Sequence, residues 1–143
     1  MKVRTILATK GTNVVTVRPG QSVKEAALLL AEHNIGALVV VDQARHPIGI
    51  ISERDIIRTG ARRDDVFSLP VSQVMTKEVI IGLPQDDLMS IAHTMTERRF
   101  RHVPIVEQGE LVGIVSIGDI VKYQRDEYRG ELDTLQTQIV EDE

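Results

Sequence analysis

The strongest constraint on this chain is an internal duplication. Pro47-Ile48-Gly49-Ile50-Ile51-Ser52-Glu53-Arg54-Asp55-Ile56-Ile57 is answered by Leu111-Val112-Gly113-Ile114-Val115-Ser116-Ile117-Gly118-Asp119-Ile120-Val121. Both copies run apolar, glycine, two β-branched residues, serine, two spacers, aspartate, then apolar residues again. The match continues upstream, with residues 37–42 answered by 102–107 and residues 17–23 by 82–88. A period of about 65 residues exceeds the roughly 20–50 of solenoid repeats. It suits a tandem pair of small units, and a pair creates a cleft between its halves.

Local signals give each unit the same order. Residues 14–17 form a β-branched run that Pro19-Gly20 ends, which reads as a strand and a turn. Ser22 with Glu25 predicts a capping box, and Val23, Ala26, Ala27 and Leu30 then share one helical face. The helix should stop near His33-Asn34, with Gly36 just beyond. Residues 38–41 and 48–51 predict two strands, and Ser52 caps a second helix. In the second half, residues 79–81 predict the first strand and Asp86 or Asp87 the cap. Leu88, Ile91, Ala92 and Met95 form the helix face there. Residues 103–106 and 111–115 make a hairpin around Gln108-Gly109, and Ser116 caps the last helix. The fold class is therefore mixed α/β (α+β), two β-α-β-β-α units in tandem. Residues 1–62 form the first, 63–70 a linker, 71–123 the second and 124–143 an acidic helical tail. In that tail Tyr128, Leu132, Leu135 and Ile139 make an amphipathic stripe, suited to the chain's own body or to a partner chain.

Size and composition narrow the function classes. The chain has 143 residues. At that size it buries roughly 70% of its unfolded surface, whereas either half alone is marginal, so the halves should pack together. Phe67, Phe100, Tyr123 and Tyr128 are the only aromatic residues, which disfavours single-stranded nucleic acid stacked on rings. The net charge of −4 is concentrated in the last twenty residues, which hold two arginines against seven carboxylates. The rest is nearly neutral, unlike the basic face of a duplex DNA binder. Without cysteine there are neither disulfides nor thiolate metal sites. Residues 1–7 lack the apolar stretch of a signal peptide. No apolar run approaches the length, roughly 20 residues, that crosses a bilayer. A soluble, cytoplasmic protein without membrane or nucleic-acid partners is expected.

The repeated Gly-x-x-Ser-x-x-Asp lies at a strand-to-helix junction, where each position has a chemical use. Gly49 and Gly113 carry no side chain, so a flat ligand can approach the backbone. Ser52 and Ser116 stand at helix N-caps, where a hydroxyl and free amides favour an anion. Asp55 and Asp119, in the same first turn, can accept the hydroxyls of a ribose. The plainer alternative is a capping serine and an acid facing the helix dipole, with no ligand. Duplication in register favours the ligand site. A second cluster, Glu97-Arg98-Arg99-Phe100-Arg101-His102-Val103-Pro104, directly precedes the buried strand of the second half. Arg101 and His102 suit phosphate, the histidine adding a donor when protonated. Their counterparts Gly36 and Ala37 are uncharged and leave only backbone contacts, so two unequal sites are expected. Arg98 and Arg99 read as solvated cations at a helix end. Arg54 is a phosphate contact or a surface ion pair. Lys10, with Gly11 in a loop before the first strand, can reach a phosphate. Thr16 can hydrogen-bond a base or ribose, or is simply a strand residue.

These paired motifs resemble those of the cystathionine-β-synthase (CBS) domain, which occurs in tandem as a Bateman module. The resemblance covers about residues 1–123 and leaves out the tail. It implies two repeats packed through their sheets about a pseudo-twofold axis, with adenine nucleotides in the clefts. It also implies dimerisation into a flat four-repeat disk. By the same resemblance Asp55 and Asp119 bind ribose, Ser52 and Ser116 phosphate or ribose, and Arg101 and His102 phosphate. Ser-Glu-Arg-Asp and Arg-Phe-Arg-His are similar to small bacterial CBS proteins that take AMP and sometimes NAD(H). AMP is therefore the expected ligand, with ATP and NAD(H) as alternatives and no catalytic cofactor. The expected role is a sensor acting on an unidentified protein target.

Two rival classes are defined by the same residues. Glu53 beside a bound phosphate could activate water, which makes a nucleotide hydrolase. A module with empty clefts would serve only to hold other proteins. The sequence carries no Gly-x-Gly-x-x-Gly after a strand, no Gly-Lys-Ser/Thr loop and no His-Glu-x-x-His. His33, His46, His93 and His102 lack paired ligand spacing.

Overall fold

Ser22 begins the first long helix as expected, its hydroxyl accepting from the Glu25 amide at 3.1 Å. The capping box is half formed, because the Glu25 carboxylate accepts from Gln21 instead. This is a computed structural model that describes residues 1–11 and 13–142, without the side chains of 131–142. The elements are α1 (Val3–Lys10), β1 (Thr16–Val17), α2 (Val23–His33), β2 (Ala37–Val41), β3 (Pro47–Ser52) and α3 (Glu53–Gly60), followed by a 3-10 turn (Val66–Ser68). Then come α4 (Val71–Val74), α5 (Leu88–Arg98), β4 (His102–Glu107), β5 (Glu110–Ser116) and α6 (Ile117–Asp142).

The two halves use the same local devices. Helices α2 and α5 end on left-handed residues, Asn34 at φ 53° and Arg99 at φ 60°. The Ile35 amide reaches back to Leu30 O and the Phe100 amide to Met95 O, closing each helix end by the same backbone bond. Strand β2 pairs parallel with β1 and antiparallel with β3. Every residue of β2 is buried, as a strand covered on both faces requires. Strands β4 and β5 form the second hairpin. Its turn is made by Gln108 at φ 52° and Gly109 at φ 82°. Both lie in the left-handed region that a tight two-residue loop needs. The strand expected at 79–81 is reduced to one parallel bridge, Gly82 to Ile105. A Cβ on Gly82 would lie 2.9 Å from Ile91 and 3.0 Å from Ile105, so only this glycine fits close enough to pair. Likewise the run 14–17 pairs only at Thr16–Val17.

Two cores form, and each takes a helix from outside its own repeat. Val66, Val71 and Val74 pack with Val17, Val23, Leu30, Leu38, Ile51 and Ile56 of the first repeat. Val3 and Leu7 pack with Leu88, Ile91, Met95, Val103, Ile105 and Val115 of the second. Backbone bonds mirror the exchange: Val3 and Arg4 amides donate to Asp86 O and Pro84 O, while Val71 and Ser72 amides donate to Gln21 O and Pro19 O. A third cluster, Val39, Val41 and Leu111 with Val14 and Ile114, joins the two sheets. The result is two repeats about a pseudo-twofold axis. Helix α6 continues unbroken into the tail. Tyr128 of the expected stripe is exposed, and the side chains of Leu132, Leu135 and Ile139 lie outside the described residues.

Candidate functional site

The duplicated motif builds two serine–aspartate corners. At the first, the Asp55 amide donates to Ser52 Oγ at 3.2 Å, and Asp55 Oδ2 accepts from the Ser52 amide at 2.9 Å and hydroxyl at 3.0 Å. At the second, the Asp119 amide donates to Ser116 Oγ at 3.1 Å and Asp119 Oδ2 accepts from the Ser116 amide at 2.8 Å. Both motifs are thus reciprocal helix caps. The next amide is also engaged: Glu53 N donates to Gly36 O at 3.0 Å and Ile117 N to Arg101 O at 2.9 Å. These groups, expected free for an anion, are instead taken up by the fold. What remains outward at the first corner is Asp55 Oδ1, held by the Thr76 hydroxyl at 3.1 Å.

That corner opens into a cleft of about 760 Å³ between the repeats. Gly36, Ser52, Arg54 and Asp55 line it from the first repeat, and Thr76, Glu78, Arg99, Phe100, Arg101 and His102 from the second. Cations for the first corner therefore arrive from the other half of the chain, so the uncharged Gly36 does not leave this cleft without them. Arg58, one turn beyond Arg54 on α3, joins the same wall. Arg99, which reads from sequence as a solvated helix-end cation, also lines it. The left-handed backbone at Arg99 turns the chain out of α5 into this wall.

His102 is half-buried. Its pKa lies below the ordinary value of 6.5, through burial first and the Lys10 charge second, with Asp119 opposing. Burial and the Lys10 charge thus disfavour the protonated form with two donors, and the neutral ring still has one N–H to give. The linkage has a definite sign. The unfolded chain binds the proton more readily, so stability falls as pH drops below about 6.5 through the folded value. Thermal melts carried from neutral into mildly acidic buffer are expected to show this decline, and His102→Gln is expected to flatten it.

The second corner is arranged differently. Burial raises the Asp119 pKa, but the Lys10 ammonium and the Ser116 amide outweigh it, and the carboxyl lies below its usual value. Lys10 Nζ is 2.6 Å from Asp119 Oδ2 and 2.8 Å from Ile114 O. Lys10 is the last residue of α1 rather than part of a loop.

Other candidates lie away from the cleft. Thr16 pairs with Val39 from the edge strand β1, and Ala37 is buried in β2. Gly49 and Gly113 give close approach to the chain itself and not to a flat ligand. A Cβ on Gly49 would lie 2.6 Å from Met75 Sδ, and one on Gly113 would lie 2.5 Å from Leu7 Cδ2. Thr76 is a site residue that the motif alone does not supply. One signal in the sequence points to it: Val71-x-x-Val74-Met75 echoes Val3-x-x-Ile6-Leu7, which marks the segment before Thr76 as a third duplicated element. Among the described residues no group of His, Asp or Glu is placed to hold a metal, and no helix is long and apolar enough to cross a membrane.

Comparison with known proteins points the same way. The sequence profile of the CBS domain matches residues 3–62 and 71–126. The chain is 42% identical over 117 residues to the CBS domain-containing protein YhcV of Bacillus subtilis, covering 81% of this chain and 82% of that one. The CBS-domain containing protein ATU1752 from Agrobacterium tumefaciens matches with a TM-score of 0.82 at 42% identity, over 87% of this chain and 99% of that one. The CBS domain protein PAE2072 from Pyrobaculum aerophilum, solved in complex with AMP, matches with a TM-score of 0.75 at 30% identity, over 83% of this chain and 89% of that one.

Proposed function

Because this chain belongs to the CBS domain family, with two repeats in tandem, we propose that it is an adenine-nucleotide sensor whose ligand occupies the Ser52–Asp55 cleft. One observation carries the reading: a ribose-type carboxylate, Asp55, shares a single cavity with Arg54, Arg58, Arg99 and Arg101. Carboxylate oxygen suits the sugar hydroxyls and guanidinium forks suit phosphate, so both halves of a nucleotide have partners in one cleft, with Arg99 and Arg101 on the wall opposite Asp55. AMP is the first choice of ligand, and the AMP complex of the related PAE2072 supports it. ATP and NAD(H) carry the same adenosine phosphate portion.

A sensor needs a ligand that binds two arrangements unequally. The walls of the cleft come from different repeats, so a ligand bridging them favours one relative placement. A second copy of the chain offers the readout. Leu28 and Ile57, and in the other repeat Met89, Ile117 and Val121, are exposed apolar side chains on the helices that cover the sheets. A groove between α5 and α6, lined by Met89, Ala92, Ile117 and Val121, continues that surface. Dimerisation through these helices would read in light scattering as twice the chain mass.

Thermal shift tests the ligand. At one hundred times its dissociation constant a ligand stabilises the fold by about 2.7 kcal/mol, a rise of several degrees for a domain of this size. AMP is expected to give that rise. No movement with AMP, ATP or NAD(H) at millimolar concentration would favour the empty interaction module. Glu53 lines the same cleft, so the hydrolase reading makes its own demand. Chromatography after incubation is expected to return each nucleotide intact, and turnover would overturn the sensor.

A further inference from the structure

The two corners differ in what covers their carboxylates. Over Asp55 lies a neutral hydroxyl, Thr76 Oγ1 at 3.1 Å, which can rotate aside for a ligand. Over Asp119 lies the Lys10 ammonium, 2.6 Å from Oδ2 and 2.8 Å from Ile114 O. That ammonium is delivered by a fixed support. Helix α1 is seated in the second core by Val3 and Leu7, and its first amides are bonded to Asp86 O and Pro84 O. The side chains of Lys10 and Asp119 are 36% and 22% exposed. The ammonium is thus at the surface and the carboxylate is the better shielded partner.

The second corner also lacks the opposing cations of the first. By the pseudo-twofold, the counterpart of Arg99–His102 is the stretch 34–37, Asn-Ile-Gly-Ala, which carries no charge. With Lys10 committed to Asp119, a nucleotide phosphate would find no cation from that stretch.

We infer that Lys10 is a built-in occupant of the second corner, so that each chain takes one nucleotide, in the Ser52–Asp55 cleft, and Lys10 sets that stoichiometry. The inference rests on the proposed nucleotide reading of the first cleft. Removing the ammonium frees a carboxylate without supplying a phosphate-binding cation, so the uncovered corner suits adenosine better than AMP.

Two measurements separate the inference from its premise. Amine acylation followed by mass spectrometry reads the lock without any nucleotide. Lys10 is expected to label several-fold more slowly than Lys2, Lys24, Lys77 and Lys122, and Asp119→Asn is expected to bring it up to their rate. Equal labelling in the unaltered chain overturns the lock. Calorimetry then reads the sites. The unaltered chain is expected to bind one AMP, and once saturated to take no adenosine. Lys10→Met saturated with AMP is expected to take one adenosine more per chain, and adding Asp119→Ala is expected to abolish that second event. Two AMP in the unaltered chain, no extra adenosine in Lys10→Met, or loss of AMP binding in Lys10→Met each overturns the inference, the last by making Lys10 a ligand contact. Absence of AMP binding in every variant, with slow Lys10 labelling intact, fails the premise and leaves the lock standing.

Discussion

Asp55→Ala is expected to weaken AMP binding by roughly tenfold to a hundredfold. A hydrogen bond to a charged group contributes about 1.5–3 kcal/mol, and about 1.4 kcal/mol is a factor of ten in affinity. The carboxylate has a second job that must be separated from the first. Its Oδ2 accepts from the Ser52 amide, which closes the cap of α3. Losing that half of the cap is expected to cost about 1 kcal/mol of stability, readable by urea denaturation. Asp55→Asn divides the two effects. Its amide oxygen can still accept from the Ser52 amide and recover much of the stability, but it presents an N–H₂ donor where ribose hydroxyls need an acceptor. Stability should return and affinity should not. If both variants bind AMP as tightly as the unaltered chain, the ribose assignment is wrong.

Leu7→Ala is expected to destabilise the fold by about 2–5 kcal/mol, the range for removing a buried leucine side chain. The informative part is where the loss falls. Leu7 is 5% exposed and belongs to the core of Leu88, Met95, Val103 and Val115, although it lies at the opposite end of the chain from them. Hydrogen exchange is expected to show lost protection across α5, β4 and β5 before β2 and β3. A loss confined to the first repeat, or smaller than about 1 kcal/mol, would contradict the exchange of helices between the halves.

What can be read from sequence is whatever neighbours in the chain enforce. The serine caps, the Gln108-Gly109 turn and the buried run of β2 each depend on a few adjacent residues, and each is present. The strand at 79–81 is absent because pairing there is decided by distant side chains, Ile91 and Ile105, which leave room only at Gly82. Gly49 and Gly113 depart from expectation for the same reason. Their missing side chains make room for Met75 and Leu7, which belong to segments far off in the chain. No local pattern says which half α1 or α4 will join, because each is a short helix with only two buried residues. For the cleft, the motif supplies Ser52 and Asp55, and the basic cluster before the buried strand supplies Arg101 and His102. Arg58, Thr76 and Arg99 depend on the crossing of the repeats, which no single stretch encodes.

Isothermal titration of the unaltered chain with AMP tests the central claim most directly. The predicted result is saturable binding of one AMP per chain that Asp55→Ala weakens at least tenfold. Saturable heat that Asp55→Ala leaves untouched, or no heat with AMP, ATP or NAD(H) at millimolar concentration, would contradict it.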